Sequence, residues 1–232
     1  MPQQPRVVLV HGAWADGSNW SKVIPLLQKE GYRVTAVQNP LTSLSDDAAH
    51  TRRVLAAQQG PTILVGHSYG GAVITEAGTD ADNVVALVYV AAFAPDKGEG
   101  LGDVLARQAQ PPGAASVRPD ENGFLWIERA TFRDRFAQDV DDDEAWVMAA
   151  TQKPIAGRCF EDKVTEPAWK SKPSWYQVSE DDRMIPPDAQ RWMAKRMGAA
   201  TISLPASHAS LVSHPGEVAT LITEAASTVA RA

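Results

Sequence analysis

Short apolar runs recur along the chain, separated by longer stretches of mixed polar and apolar residues. Arg6–Val10, Arg33–Val37, Thr62–Val65 and Val84–Val90 have the length and content of strands. Val84–Val90 is apolar throughout, as a strand covered on both faces should be. Between these runs the period lengthens. Trp20, Val23, Ile24 and Leu27 fall on one helical face of a segment from Trp20 to Glu30, and Gly31 stops it. Ser45 is read as the N-cap of a second helix running to about Gln58, with Asp46 and Asp47 in its first turn. Gly60-Pro61 ends that helix, and a third is predicted from Tyr69 to about Gly78.

Strand and helix thus alternate with short links, the rhythm of a mostly parallel sheet with right-handed crossovers. From about Pro95 to Lys172 the rhythm breaks: Pro111-Pro112-Gly113 interrupts it, Asn122-Gly123 predicts a turn, and only Asp143–Thr151 looks helical. It resumes with strand Ser174–Val178, helix Pro187–Met197, strand Ala200–Leu204 and helix Pro215–Arg231. The expectation is one α/β domain, its core formed by residues 1–94 and 173–232, with residues 95–172 inserted as a cap.

Composition narrows the function. The 232 residues carry 22 Lys and Arg against 28 Asp and Glu, a net charge of −6, and the basic residues form no stripe of the kind that binds nucleic acid. No apolar run approaches the roughly 20 residues of a membrane helix. The acidic run Asp139–Glu144 is read as a solvated helix start, so no metal is expected. The single Cys159 excludes an intrachain disulfide and is read as an inert thiol. The opening Met1–Arg6 is polar and leads directly into a strand, which gives the expectation of a cytoplasmic chain without a secretion signal.

Gly66-His67-Ser68-Tyr69-Gly70-Gly71 joins the third strand to the third helix. A turn that tight holds its central residue in a strained conformation and leaves no room for side chains two positions away. It presents the Ser68 hydroxyl at the carboxyl edge of the sheet, where the Tyr69 N–H and the helix dipole favour developing negative charge. A serine hydroxyl needs a base, and imidazole serves near neutral pH. Of five histidines, His11 is read as shaping a loop, His50 as lying on a surface helix, and His67 as pointing to the other side of the turn. His208, in a loop after the last strand, is preferred to His214, which precedes Pro215 at the start of the last helix. The carboxylate that would orient the base comes from Glu180, Asp181, Asp182 or Asp96 on composition alone.

Here the chain resembles the α/β-hydrolases, in particular small plant-type esterases and hydroxynitrile lyases. The segments that carry the likeness are VVLVHGAWADGSNW, GHSYGG, EDDRMIP and SHASLVSHP, spread over nearly the whole chain. The resemblance implies that Asp182, which opens the D-x-x-x-P segment ending at Pro186, is the acid. It implies that His208, seven residues before Pro215, is the base, and that Ala13 supplies a second oxyanion N–H beside Tyr69. In the lyases a lysine directly follows the catalytic histidine and a threonine follows the first histidine of the oxyanion loop; here Ala209 and Gly12 stand there. The expected activity is therefore cofactor-independent hydrolysis of a small ester, with cyanohydrin cleavage or binding without turnover as alternatives. Trp14, Trp20, Trp126 and Trp146 are expected to wall the substrate pocket. The expected partner is a small-molecule ester, and self-association into a homodimer is left open.

Overall fold

The computed structural model describes residues 4–231. The chain runs β1 (Arg6–Val10), α1 (Val23–Lys29), β2 (Arg33–Ala36), α2 (Leu44–Ala56), β3 (Thr62–His67), α3 (Tyr69–Ala77) and β4 (Val84–Val90). The inserted segment follows, with α4 (Leu101–Leu105), β5 (Val117–Pro119), β6 (Phe124–Ile127), α5 (Arg129–Phe136), α6 (Asp142–Thr151) and β7 (Ile155–Ala156). The core closes with β8 (Ser174–Ser179), α7 (Pro187–Met197), β9 (Ala200–Leu204), the short α8 (Ser210–Ser213) and α9 (Pro215–Val229).

Six strands form one parallel sheet in the order β2-β1-β3-β4-β8-β9. Every residue of β1 and β3 is buried, which explains why these strands read as continuous apolar runs. With right-handed crossovers, α1 lies on the face covered by α9, and α2 packs with α3 on the other. From β1 the chain moves one way to β2; from β3 it moves the other way to β4. The carboxyl ends of β1 and β3, paired through Val10 and Gly66, therefore flank the crevice where open α/β sheets bind ligands.

Three local features depart from the sequence expectation. Instead of one helix from Trp20, Asp16 accepts the Ser18 N–H and caps a tight turn over Gly17–Trp20, and α1 starts only at Val23. The N-cap of α2 is Ser43, whose Oγ accepts the Asp46 N–H at 3.0 Å, so the helix begins before Ser45. The insertion carries a three-stranded antiparallel sheet, β5-β6-β7, whose strands of two to four residues are too short to leave a periodic signal. No helix among the described residues is long and apolar enough to cross a membrane.

Candidate active site

The turn after β3 holds Ser68 at φ 54°, ψ −126°, a left-handed conformation that a residue with a side chain adopts only under constraint. The constraint is visible. The Ser68 N–H donates to the Val90 carbonyl, and its own carbonyl accepts the Phe93 N–H at 3.0 Å and the Gly71 N–H at 2.9 Å. A Cβ on Gly66 would sit 2.5 Å from the Gly70 carbonyl oxygen, so only glycine permits the turn.

His208 lies on the loop between β9 and α8 and is fully buried. Its Nε2 is 2.8 Å from Ser68 Oγ, and its Nδ1 is 2.7 Å from Asp182 Oδ2. A carboxylate only accepts, so Nδ1 carries the proton and Nε2 of the neutral ring is free to accept from the serine hydroxyl. Asp182 is saturated: Oδ1 accepts the Met184 and Ile185 N–H groups at 2.7 and 2.9 Å, and Oδ2 also accepts the Gln190 amide at 2.7 Å. The other acidic candidates lie elsewhere. Glu180 pairs with Arg191, Asp181 is exposed, and Asp96 pairs with Lys170.

The loop after β1 closes over the serine. A Cβ on Gly12 would come within 2.7 Å of Ser68 Cβ, so the backbone leading to Ala13 passes directly beside the hydroxyl. His11 braces this loop from beneath, donating from Nδ1 to the Gly12 carbonyl and accepting the Asn39 N–H at Nε2, both at 2.9 Å. Burial lowers its pKa to about 4. Tyr69 opens α3, where first-turn N–H groups have no intrahelical acceptor. Its hydroxyl donates to Asp47 at 2.6 Å. Asp47 is fully buried, not the solvated first-turn acid that its position in the sequence suggests, and burial raises its pKa to about 6. Cys159 is buried too, its thiol pushed up to about 12.

The model of the alpha/beta hydrolase family matches residues 7–221. The chain belongs to the alpha/beta hydrolase family. A pyrethroid hydrolase of Sphingobium wenxiniae is 30% identical over 94% of this chain and 86% of its own length. An alpha-hydroxynitrile lyase of Arabidopsis thaliana is 26% identical over 87% of this chain and 88% of its own. The crystal structure of a pyrethroid hydrolase from Sphingobium faniae superposes with a TM-score of 0.87 at 26% identity, covering 98% and 99% of the two chains.

A cavity of about 170 Å³ lies between the loop after β1 and helix α6, lined by Trp14, Phe136, Val147, Met148 and Val212 among others, with neither Ser68 nor His208 in its wall. Phe136 also stands edge-on to the His208 ring, centroids 4.8 Å apart. Of the four tryptophans expected in the pocket wall, Trp14 lines this cavity and the other three do not. Trp20 is fully buried against the edge of His67, Trp126 donates to Asp120 within the insertion, and Trp146 is 64% exposed. Their spacing in the sequence says only that they belong to large apolar contacts, not on which side of a helix or strand those contacts fall. Phe136 gave no signal at all, because the helix bearing it lies in the irregular stretch. Of the remaining histidines, His50 lies on α2 beside Arg53 and His214 bonds Ser213 Oγ at the start of α9, neither of them bonded to Ser68.

Proposed function

We propose that the protein is a serine carboxylesterase for small carboxylic esters. Ser68 Oγ attacks the acyl carbon while its proton passes to His208 Nε2. The tetrahedral oxyanion is held by the N–H groups of Ala13 and Tyr69. His208 then returns the proton to the leaving alcohol, and water, deprotonated by the same ring, hydrolyses the acyl-enzyme. Asp182 fixes the ring's tautomer and stabilises the imidazolium. One observation carries the reading: Ser68 Oγ, the His208 ring and Asp182 form a continuous hydrogen-bonded line of 2.8 and 2.7 Å. The names of relatives, a pyrethroid hydrolase, a carbendazim hydrolyzing esterase and a methylesterase among them, support the reading.

Cyanohydrin cleavage, the reaction class named for the plant relative, fits less well. Departing cyanide needs a cation in a dry pocket, where an uncompensated charge is costly. Ala209, next to the base, is fully buried and neutral. The lysines of the insertion are engaged: Lys97 with Glu166, Lys163 with Asp103, Lys170 with Asp96, Lys172 with the Ala81 and Val84 carbonyls, and Lys153, the one near the loop after β1, with the Asn39 carbonyl.

The test is a series of p-nitrophenyl esters of increasing acyl length, with mandelonitrile in parallel, on wild type and Ser68→Ala. Ester turnover lost in the variant, without cyanide release, is the expected result. Turnover that survives Ser68→Ala removes the nucleophile; cyanide release matching ester turnover makes the enzyme a lyase; binding without turnover makes it a binding protein.

A further inference from the structure

Residues 181, 183 and 207 immediately flank Asp182 and His208, and each is held by a residue of the insertion. Gln138 Nε2 donates to the Asp181 carbonyl at 2.6 Å. Arg183 is gripped three times: its guanidinium donates to the Asp134 carbonyl at 2.8 Å and pairs with the Asp134 carboxylate, and its own carbonyl accepts the Gly113 N–H at 2.7 Å. Asp139 Oδ2 accepts the Ser207 N–H and the Ser213 hydroxyl, both at 2.9 Å, and so spans the loop that carries His208. Four residues of one insertion thus converge on the acid and base loops, while the core joins those loops to each other through the Asp181 N–H and the Ala206 carbonyl at 3.1 Å.

We propose that the end of α5 and the turn after it, residues 134–139, form a clasp that sets the geometry of the acid and base loops, and that Asp139 is the positioning residue for His208. The inference rests on the serine-esterase reading of the site. Loops between strand and helix are the most mobile parts of a fold, yet proton transfer from Ser68 demands a fixed donor–acceptor geometry. Hydrogen bonds to a carboxylate are about twice as strong as those between neutral groups, and Asp139 accepts two of them from residues that flank His208 in the chain. The acid loop is held in the same way through main-chain carbonyls, which orient the backbone without touching the Asp182 carboxylate. The cap therefore does more than wall a pocket, because it supplies the outer half of the support for the catalytic pair.

The experiment compares Asp139→Ala, Asp139→Asn and wild type by ester kinetics, by the rate at which a fluorophosphonate labels Ser68, and by thermal unfolding. Asp139→Ala should lower kcat and the labelling rate about 10- to 100-fold, the scale of a small misplacement of reacting groups, with KM nearly unchanged. Asp139→Asn keeps an oxygen where Oδ2 stood and should recover most of the loss. If the alanine variant is too unstable to assay, Ser213→Ala, which deletes one of the two bonds, should show a smaller loss of the same kind. Wild-type labelling that Asp139→Ala leaves unchanged overturns the clasp alone, as does a loss the asparagine fails to recover. A wild type that does not label at Ser68 overturns the esterase reading and the clasp with it.

Discussion

His67 Nε2 donates a hydrogen bond of 2.8 Å to the backbone carbonyl of His208, so the residue preceding the proposed nucleophile supports the proposed base. The imidazole is fully buried, and desolvation, the largest cause, lowers its pKa well below the usual range. It is therefore neutral, with its proton on Nε2. Its ring centroid lies 4.9 Å from that of His208, and a charge there would oppose protonation of the base during turnover. His67→Leu should leave the His208 carbonyl unpaired, lowering the unfolding free energy by about 1–3 kcal/mol in urea titrations and reducing kcat. His67→Gln, which retains a donor, should recover part of both.

Asp182→Asn should lower kcat by about four orders of magnitude while leaving the circular dichroism spectrum unchanged. The substituted amide would turn an N–H toward a donor wherever it lay, because all four contacts of the carboxylate are donors to it. The ring would answer with the tautomer that cannot accept from Ser68.

Gly12→Ala tests the close approach of the loop after β1. The new methyl would lie 2.7 Å from Ser68 Cβ and 3.0 Å from the His67 carbonyl, pressed between the serine side chain and the backbone before it. A shift of the Ala13 N–H by about 1 Å should lower kcat/KM on the order of 100-fold. An unchanged kcat/KM would show that Ala13 has no part in holding the oxyanion.

Stability should respond to pH in opposite directions at two buried groups. His11 has an ordinary value near 6.5 and a folded value of about 4, so between those limits the unfolded chain binds more protons and stability rises with pH. His67 contributes with the same sign. Asp47 runs from 3.8 unfolded to about 6 folded; the folded state binds more protons in that window, and its contribution falls as pH rises. Asp47→Asn should therefore steepen the rise of unfolding free energy between about pH 4 and pH 6. A slope equal to wild type would show that Asp47 titrates as it does in the unfolded chain.

Exchanging the two terminal histidines should separate base from bystander. His208→Ala should abolish ester turnover by several orders of magnitude, whereas His214→Ala, which loses a bond to Ser213 and a 3.8 Å approach to Asp139, should change it little. The reverse pattern would move the base to His214.

The core was legible in the chain because its four central strands are buried on both faces and its helices present one apolar stripe, so each of these elements announces itself over a few residues. The elbow was legible for a different reason: Gly66 and Gly70 are demanded by main-chain contacts as close as 2.5 Å, and no other residue satisfies them. What stayed hidden depends on partners far away in sequence. Asp47 looks like an ordinary first-turn acid until Tyr69, 22 residues on, reaches it. Asp139 looks like part of a solvated acidic run until Ser207, 68 residues on, donates to it. The same holds for β5, β6 and β7, whose pairing is long-range and whose length is too small for periodicity.

Trp14 adds a last connection, donating from Nε1 to the Leu125 carbonyl of β6 at 2.9 Å, while Ala156 of β7 donates to the Leu41 carbonyl at 2.9 Å. With the bonds from residues 113, 134, 138 and 139, these stitch residues 95–172 to the core at several separate points. Such a segment is not an interchangeable part. A foreign segment grafted between β4 and β8 would bring its own pocket wall and discard the stitches, so selectivity and turnover would change together.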